Sequence, residues 1–167
     1  MADSVRSIPE MEIELSDDSF CFPAAHLALH GSNCESMHGH TYAVTLRLSG
    51  ALDASGMIAD FHRVKDLMRR TVEPLRRRVL LPMQSERVRV EPAGDHVDVY
   101  CGSSQQYRLP RSDVAFLNVA NTTTELLADY ILSAAWPALV RWGGVRRATL
   151  SLSETPGQAA VVTRCLP

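Results

Sequence analysis

Residues 41–50 read TYAVTLRLSG, with Tyr42, Val44, Leu46 and Leu48 on one parity and Thr41, Thr45, Arg47 and Ser49 on the other. A period of two is that of a β-strand buried on one face and wet on the other. Such a strand needs neighbours for its backbone groups and a cover for its apolar face. Both ends of the chain offer neighbours. Residues 11–16 (MEIELS) and the stretch around Phe20 and Phe22, interrupted by Asp17-Asp18, read as two edges of one early β element. Residues 147–154 and 159–165 read as two more strands, joined by the turn Thr155-Pro156-Gly157-Gln158.

Two amphipathic helices supply the cover. Asp60 caps a helix to about Leu75, with Phe61, Val64, Leu67, Met68, Val72 and Leu75 near a 3.6-residue period. A second helix starts at Thr122, where Glu125 stands in capping-box spacing, and ends near Pro137 or soon after. Its stripe is Leu126, Leu127, Tyr130, Ile131 and Ala134. Short β segments between Val88 and Leu109 read as a β-hairpin insertion at about 86–110, polar enough to be exposed. The order ββ, α, insertion, α, ββ predicts an α+β domain over 1–167, with both helices on one face of an antiparallel sheet.

Charge excludes one class of function. Seventeen Lys+Arg stand against 19 Asp+Glu, a net charge of -2, which is not the basic surface of a nucleic-acid binder. No apolar run is long enough to span a membrane, and the acidic start lacks the pattern of a signal peptide, so the expected location is cytoplasmic. Cys21, Cys34, Cys101 and Cys165 show no CxxC spacing and are expected to be reduced thiols.

The densest chemistry precedes the long strand. His26, His30, His38, His40 and Cys34 fall within fifteen residues of a chain that has six histidines. In an extended segment His38 and His40 point to the same side, and a third imidazole from a neighbouring strand would complete a facial site. Three neutral imidazoles suit zinc (Zn2+) and leave a position open, as a catalytic rather than structural site requires. The competing reading is a turn carrying surface histidines.

This segment resembles the family of 6-pyruvoyltetrahydropterin and 6-carboxytetrahydropterin synthases, whose motif combines an upstream histidine, a cysteine and a His-Gly-His strand start. The carboxy-forming branch is the closer match, because three residues separate Cys34 from His38. The likeness continues through Gly56-Met57-Ile58-Ala59-Asp60-Phe61, Thr122-Thr123-Thr124-Glu125 and Ser153-Glu154-Thr155. It implies the tunnelling fold and homo-oligomeric rings, a hexamer or another ring, with active sites between subunits. It further implies that His26, His38 and His40 bind zinc, that Cys34 is the catalytic thiol, that Glu154 anchors the pterin ring, and that Thr123 and Thr124 contact it. The implied activity is that of a zinc-dependent lyase acting on 7,8-dihydroneopterin triphosphate or a related pterin. The alternatives are a different reaction in a specialised pathway, or a zinc- and pterin-binding protein without turnover.

One departure stands out. The family follows its first helix with Leu-Asp-His, the second proton-transfer arm, whereas this chain reads Leu75-Arg76-Arg77-Arg78-Val79. An arginine is no base near neutrality. Arg76 and Arg77 therefore either bind an anionic group of the substrate or form a solvated basic helix end, and His30, His62 or His96 is left to replace the missing arm.

Overall fold

The computed structural model describes residues 11–166 except Ser32. The expectation drawn from the first ten residues lies outside them. Strand β1 (Met11–Ser16) leads through a 3-10 turn at Asp18–Phe20 into β2 (Phe22–His26). A small ribbon, β3 (Leu29–His30) and β4 (Asn33–Cys34), precedes the long β5 (His38–Gly50) and helix α1 (Phe61–Val72). Then come β6 (Val79–Pro82), β7 (Val88–Ala93), β8 (His96–Cys101), β9 (Ser104–Pro110) and β10 (Val114–Leu117). Helix α2 (Thr124–Val140), β11 (Val145–Thr155) and β12 (Gln158–Cys165) follow. Among the described residues no helix is long and apolar enough to cross a membrane.

β5 organises the main sheet, whose order is β10-β6-β2-β5-β11-β12 with β1 also on β5. β2 pairs with its first half and β1 with its second, so the early β element is one edge bent by the 3-10 turn. Tyr42, Val44, Leu46 and Leu48 are fully buried and face Ala148, Leu150 and Leu152 of β11 and the helices, where Val64, Met68, Leu127 and Ile131 close the core. Each buried Val, Leu, Ile or Met among them contributes about 1.5–3 kcal/mol by leaving water. Phe61, expected in the buried stripe, is 52% exposed.

Three expectations are corrected. The sheet is not wholly antiparallel, because β6 runs parallel to both β2 and β10. Each of those connections crosses over, one through α1 and the other through the inserted strands, and crossovers return the chain in the same direction. The insertion is a three-stranded antiparallel sheet, not a hairpin, and it is not simply exposed. Val88, Val97 and Val99 alternate to one face and bury it against Leu27, Leu81 and Val114. The cap of α2 is Thr123, since the fully buried Thr122 donates its hydroxyl to the Leu27 carbonyl at 2.6 Å. Asp60 caps α1 as expected, accepting from the His62 amide at 2.7 Å. Pro137 lies inside α2, where it has no N–H to offer the carbonyl four residues back.

The end of β5 is packed backbone to backbone. A methyl group on Gly50 would lie 1.9 Å from the Gly144 carbonyl oxygen. We expect Gly50→Ala to lower stability by about 1–3 kcal/mol, the usual range for overpacking, read as a lower urea midpoint with unchanged slope.

Candidate metal centre and substrate cavity

The pairing of β2 with β5 builds the site. His26 is the direct cross-strand partner of His38, and His40 lies two residues further along β5 on the same face. The three rings converge, with centroids 4.6 Å (His26–His38), 5.2 Å (His26–His40) and 4.9 Å (His38–His40) apart. One ligand atom from each ring can be chosen so that all lie within 4.8 Å of one another. His38 and His40 continue the parity of Tyr42 and Val44, so the centre sits where the apolar core runs out.

Backbone carbonyls orient two rings. His26 donates from Nδ1 to the Thr122 carbonyl at 2.8 Å, and His38 from Nδ1 to the Ser36 carbonyl at 2.9 Å. A carbonyl only accepts, so each ring carries its proton on Nδ1 and presents the Nε2 lone pair to the cluster. Burial holds the His26 imidazole below its ordinary value, and a neutral ring is the form that binds a metal. Nε2 of His26 and of His40 are buried with no hydrogen-bond partner. Orphaned nitrogens cost free energy unless something binds them, and this donor set fits zinc.

A cavity of about 360 Å3 opens over the cluster, walled also by His30, Glu35, Thr123, Thr124 and Glu154. Glu154 continues the inward parity of Leu150 and Leu152 on β11, and its Oε1 lies 3.9 Å from His26 Nε2. It accepts a long hydrogen bond, 3.5 Å, from the Tyr42 hydroxyl. Burial, with the Glu154 charge beside it, raises the Tyr42 phenol far above its usual value, so it stays a donor. Asn121 clamps the segment after His26, accepting from the Leu29 amide at 3.0 Å and donating to the Leu29 carbonyl at 3.1 Å.

The cavity thus gathers His26, His38, His40, Glu154, Thr123 and Thr124 from the sequence-based expectation. Cys34 is placed differently. It lines a neighbouring cavity of about 330 Å3 and is disulfide-bonded to Cys101, with Cα atoms 6.4 Å apart. That corrects the reading of these two cysteines as reduced thiols: β8 of the inserted sheet meets β4 at a separation within disulfide reach. Cys21 and Cys165 are free.

The arginines do not line the histidine cavity. Arg76 donates to the Ser19 carbonyl at 3.0 Å and pairs with Glu73 at 3.3 Å. Arg77, at φ 57, makes the tight turn into β6 and borders a separate groove with Gly39, Thr41 and His40. Among the other histidines, His30 borders the cavity and pairs with Glu35 at 3.0 Å. His62 lies in the first turn of α1 and His96 pairs with Asp95 at the tip of the inserted sheet, and neither borders the cavity. The sequence reading missed Glu35, Tyr42, Asn121 and the Thr122 carbonyl. Glu35 had a local signal, standing between Cys34 and the His-Gly-His start; the others depend on contacts across the fold.

Fold and site together define an α+β domain with a cluster that can hold a metal beside a small-molecule cavity. The chain belongs to the family of 6-pyruvoyl tetrahydropterin synthase, whose sequence profile matches residues 15–165. A relative in Methanocaldococcus jannaschii, provisionally named 6-carboxy-5,6,7,8-tetrahydropterin synthase, is 27% identical over 87% of this chain and 90% of its own. The crystal structure of 6-pyruvoyl tetrahydropterin synthase from Plasmodium vivax superposes with a TM-score of 0.89 at 26% identity, covering 95% of this chain and all of that one. The same enzyme with a glutamate, described as its catalytic residue, changed to alanine also superposes at 0.89 and 26% identity over 95% of this chain and all of that one. Membership makes this chain a pterin-synthase-type enzyme of the tunnelling fold.

Proposed function

We propose that the chain is a zinc-dependent lyase of the 6-carboxytetrahydropterin synthase type, acting on 7,8-dihydroneopterin triphosphate or a closely related pterin. The observation that carries this is the pair of buried, unpartnered Nε2 atoms on His26 and His40, next to His38 and facing the cavity that Glu154 borders. Zinc held by His26, His38 and His40 would polarise side-chain oxygens of the substrate.

The rest falls to side chains. Glu154, steadied by Tyr42, accepts hydrogen bonds from the donor-rich edge of the pterin, which compensates a carboxylate on an otherwise apolar strand face. Thr123 and Thr124, on the cavity wall at the start of α2, contact the ring. Cys34, once its thiol is free, removes a carbon-bound proton. Glu35 borders both cavities and takes the second proton-transfer role, which Arg76 and Arg77 cannot serve. A catalytic glutamate in the Plasmodium vivax relative supports a catalytic carboxylate in this family's site. Arg77, in the groove that touches His40, is the arginine assigned to an anionic substrate group; Arg76 is held by Ser19 and Glu73. Assembly into a homo-oligomeric ring is part of the proposal, supported by the edge strand β12, where Val161 is 64% exposed.

The test is turnover. Zinc-loaded protein incubated with 7,8-dihydroneopterin triphosphate under reducing conditions is expected to give 6-carboxytetrahydropterin, identified by mass spectrometry. A different cleavage or elimination product would redirect the reaction while keeping the site. Tight pterin binding without product would favour a non-catalytic zinc and pterin binder, a reading to which the bonded state of Cys34 lends support.

A further inference from the structure

We infer that Cys34 and Cys101 form a reversible redox latch, in which the disulfide withholds the Cys34 thiol from the reaction and a dithiol reductant restores it. The inference rests on the role proposed for Cys34. Its structural basis is independent: β4 carries Cys34 into a cavity that shares Glu35 with the histidine cavity, and β8 of the inserted sheet brings Cys101 to it from 67 residues away. Both residues are only half-buried and line the same open cavity of about 330 Å3, so a small thiol can reach the bond.

The latch opens without dismantling the site. Tyr107 of β9 accepts the Met37 amide hydrogen at 2.9 Å, a second tie between the inserted sheet and the segment leading into His38. The apolar contact of Val88, Val97 and Val99 with Leu27 and Leu81 is a third. Neither involves sulfur, so reduction changes what Cys34 can do chemically while segment 34–37 stays seated. The histidine cluster is held by other bonds, donated by His26 and His38 to the Thr122 and Ser36 carbonyls.

The exchange balances. A thiolate of the reductant attacks one sulfur and breaks the Sγ–Sγ bond, forming a mixed disulfide. The reductant's second thiol then displaces the protein sulfur. Two electrons and two protons pass to Cys34 and Cys101, and the dithiol leaves as its own disulfide. The thiolate of Cys34, not its disulfide, can then accept a proton from carbon.

The test uses the full zinc-loaded chain, equilibrated across mixtures of reduced and oxidised dithiothreitol. Alkylation counted by mass should find Cys21 and Cys165 open throughout, with Cys34 and Cys101 opening together in one transition. Turnover of 7,8-dihydroneopterin triphosphate should follow the same midpoint and fall by about a hundredfold or more on oxidation, with zinc content unchanged. Cys101→Ser should keep the activity of the reduced form in oxidising mixtures. The latch is overturned if Cys34 stays alkylable under oxidation, if turnover is equal on both sides of the transition, or if Cys101→Ser is as redox-sensitive as the parent. A clean paired transition with no turnover in either state supports the reversible bond and counts against the reaction assigned above.

Discussion

Replacing His38 with alanine is expected to strip zinc from the purified chain while leaving the fold intact. The ring is exposed and its one hydrogen bond is to the nearby Ser36 carbonyl, so little packing is lost. Two ligands then remain where three imidazoles were needed. Turnover should fall on the order of a thousandfold or more, above the 10–100-fold that disturbing a residue behind a ligand costs. His26→Ala should cost stability as well as metal, because that ring is 2% exposed and bonded to Thr122. Metal analysis and thermal melting separate the two effects; full zinc occupancy in His38→Ala would reject the ligand set. Acid adds a second signature in the metal-free chain. Burial keeps the folded His26 below the ordinary imidazole value of 6.5, so the unfolded chain takes up the proton first. The contribution is fully present above about 6.5 and is lost as pH falls from there toward the folded value. His26→Gln should flatten that part of the pH dependence of Tm.

What could be read in advance was what short-range geometry dictates. The parity of Tyr42, Val44, Leu46 and Leu48 fixes which face of β5 is buried, and the same parity carried back to His38 and His40 fixes where the imidazoles point. Asp60 caps α1 because its carboxylate reaches an amide two residues on. Where the fold departs from expectation, a distant partner decides. Capping-box spacing to Glu125 favours Thr122 as the cap, but the Leu27 carbonyl, 95 residues away, takes its hydroxyl and leaves Thr123 for the helix. The parallel pairing of β6 follows from crossovers, which a strand's own residues do not encode. Val97 and Val99 did alternate, but their burial depends on Leu27 and Leu81 arriving from elsewhere.

The site divides along the same line. Its histidine pair and Glu154 are placed by alternation within one strand each, so residue type and spacing suffice. The state of Cys34 is set by Cys101, 67 residues on, and nothing near either cysteine announces the other. By residue type Arg77 is a charge, whereas its backbone at φ 57 also makes it a turn residue.

Glu35→Gln is expected to lower kcat by about 10²–10⁴-fold, the usual worth of a positioned acid or base, while zinc and pterin binding persist. The substitution keeps the shape of the side chain and removes its charge and its ability to take a proton. Cys34→Ala in the reduced enzyme should show a loss of similar size, because in the proposed reaction the two groups serve successive proton transfers. The double variant should then be little worse than either single one, since an enzyme missing one arm gains little from the other. Multiplicative losses would instead mean that the two act independently. His30, paired with Glu35 at 3.0 Å yet largely exposed, should matter far less, and His30→Ala serves as the control for disturbing the wall without removing the carboxylate. If Glu35→Gln keeps full turnover and His30→Ala does not, the second arm is the imidazole, and the carboxylate merely orients it.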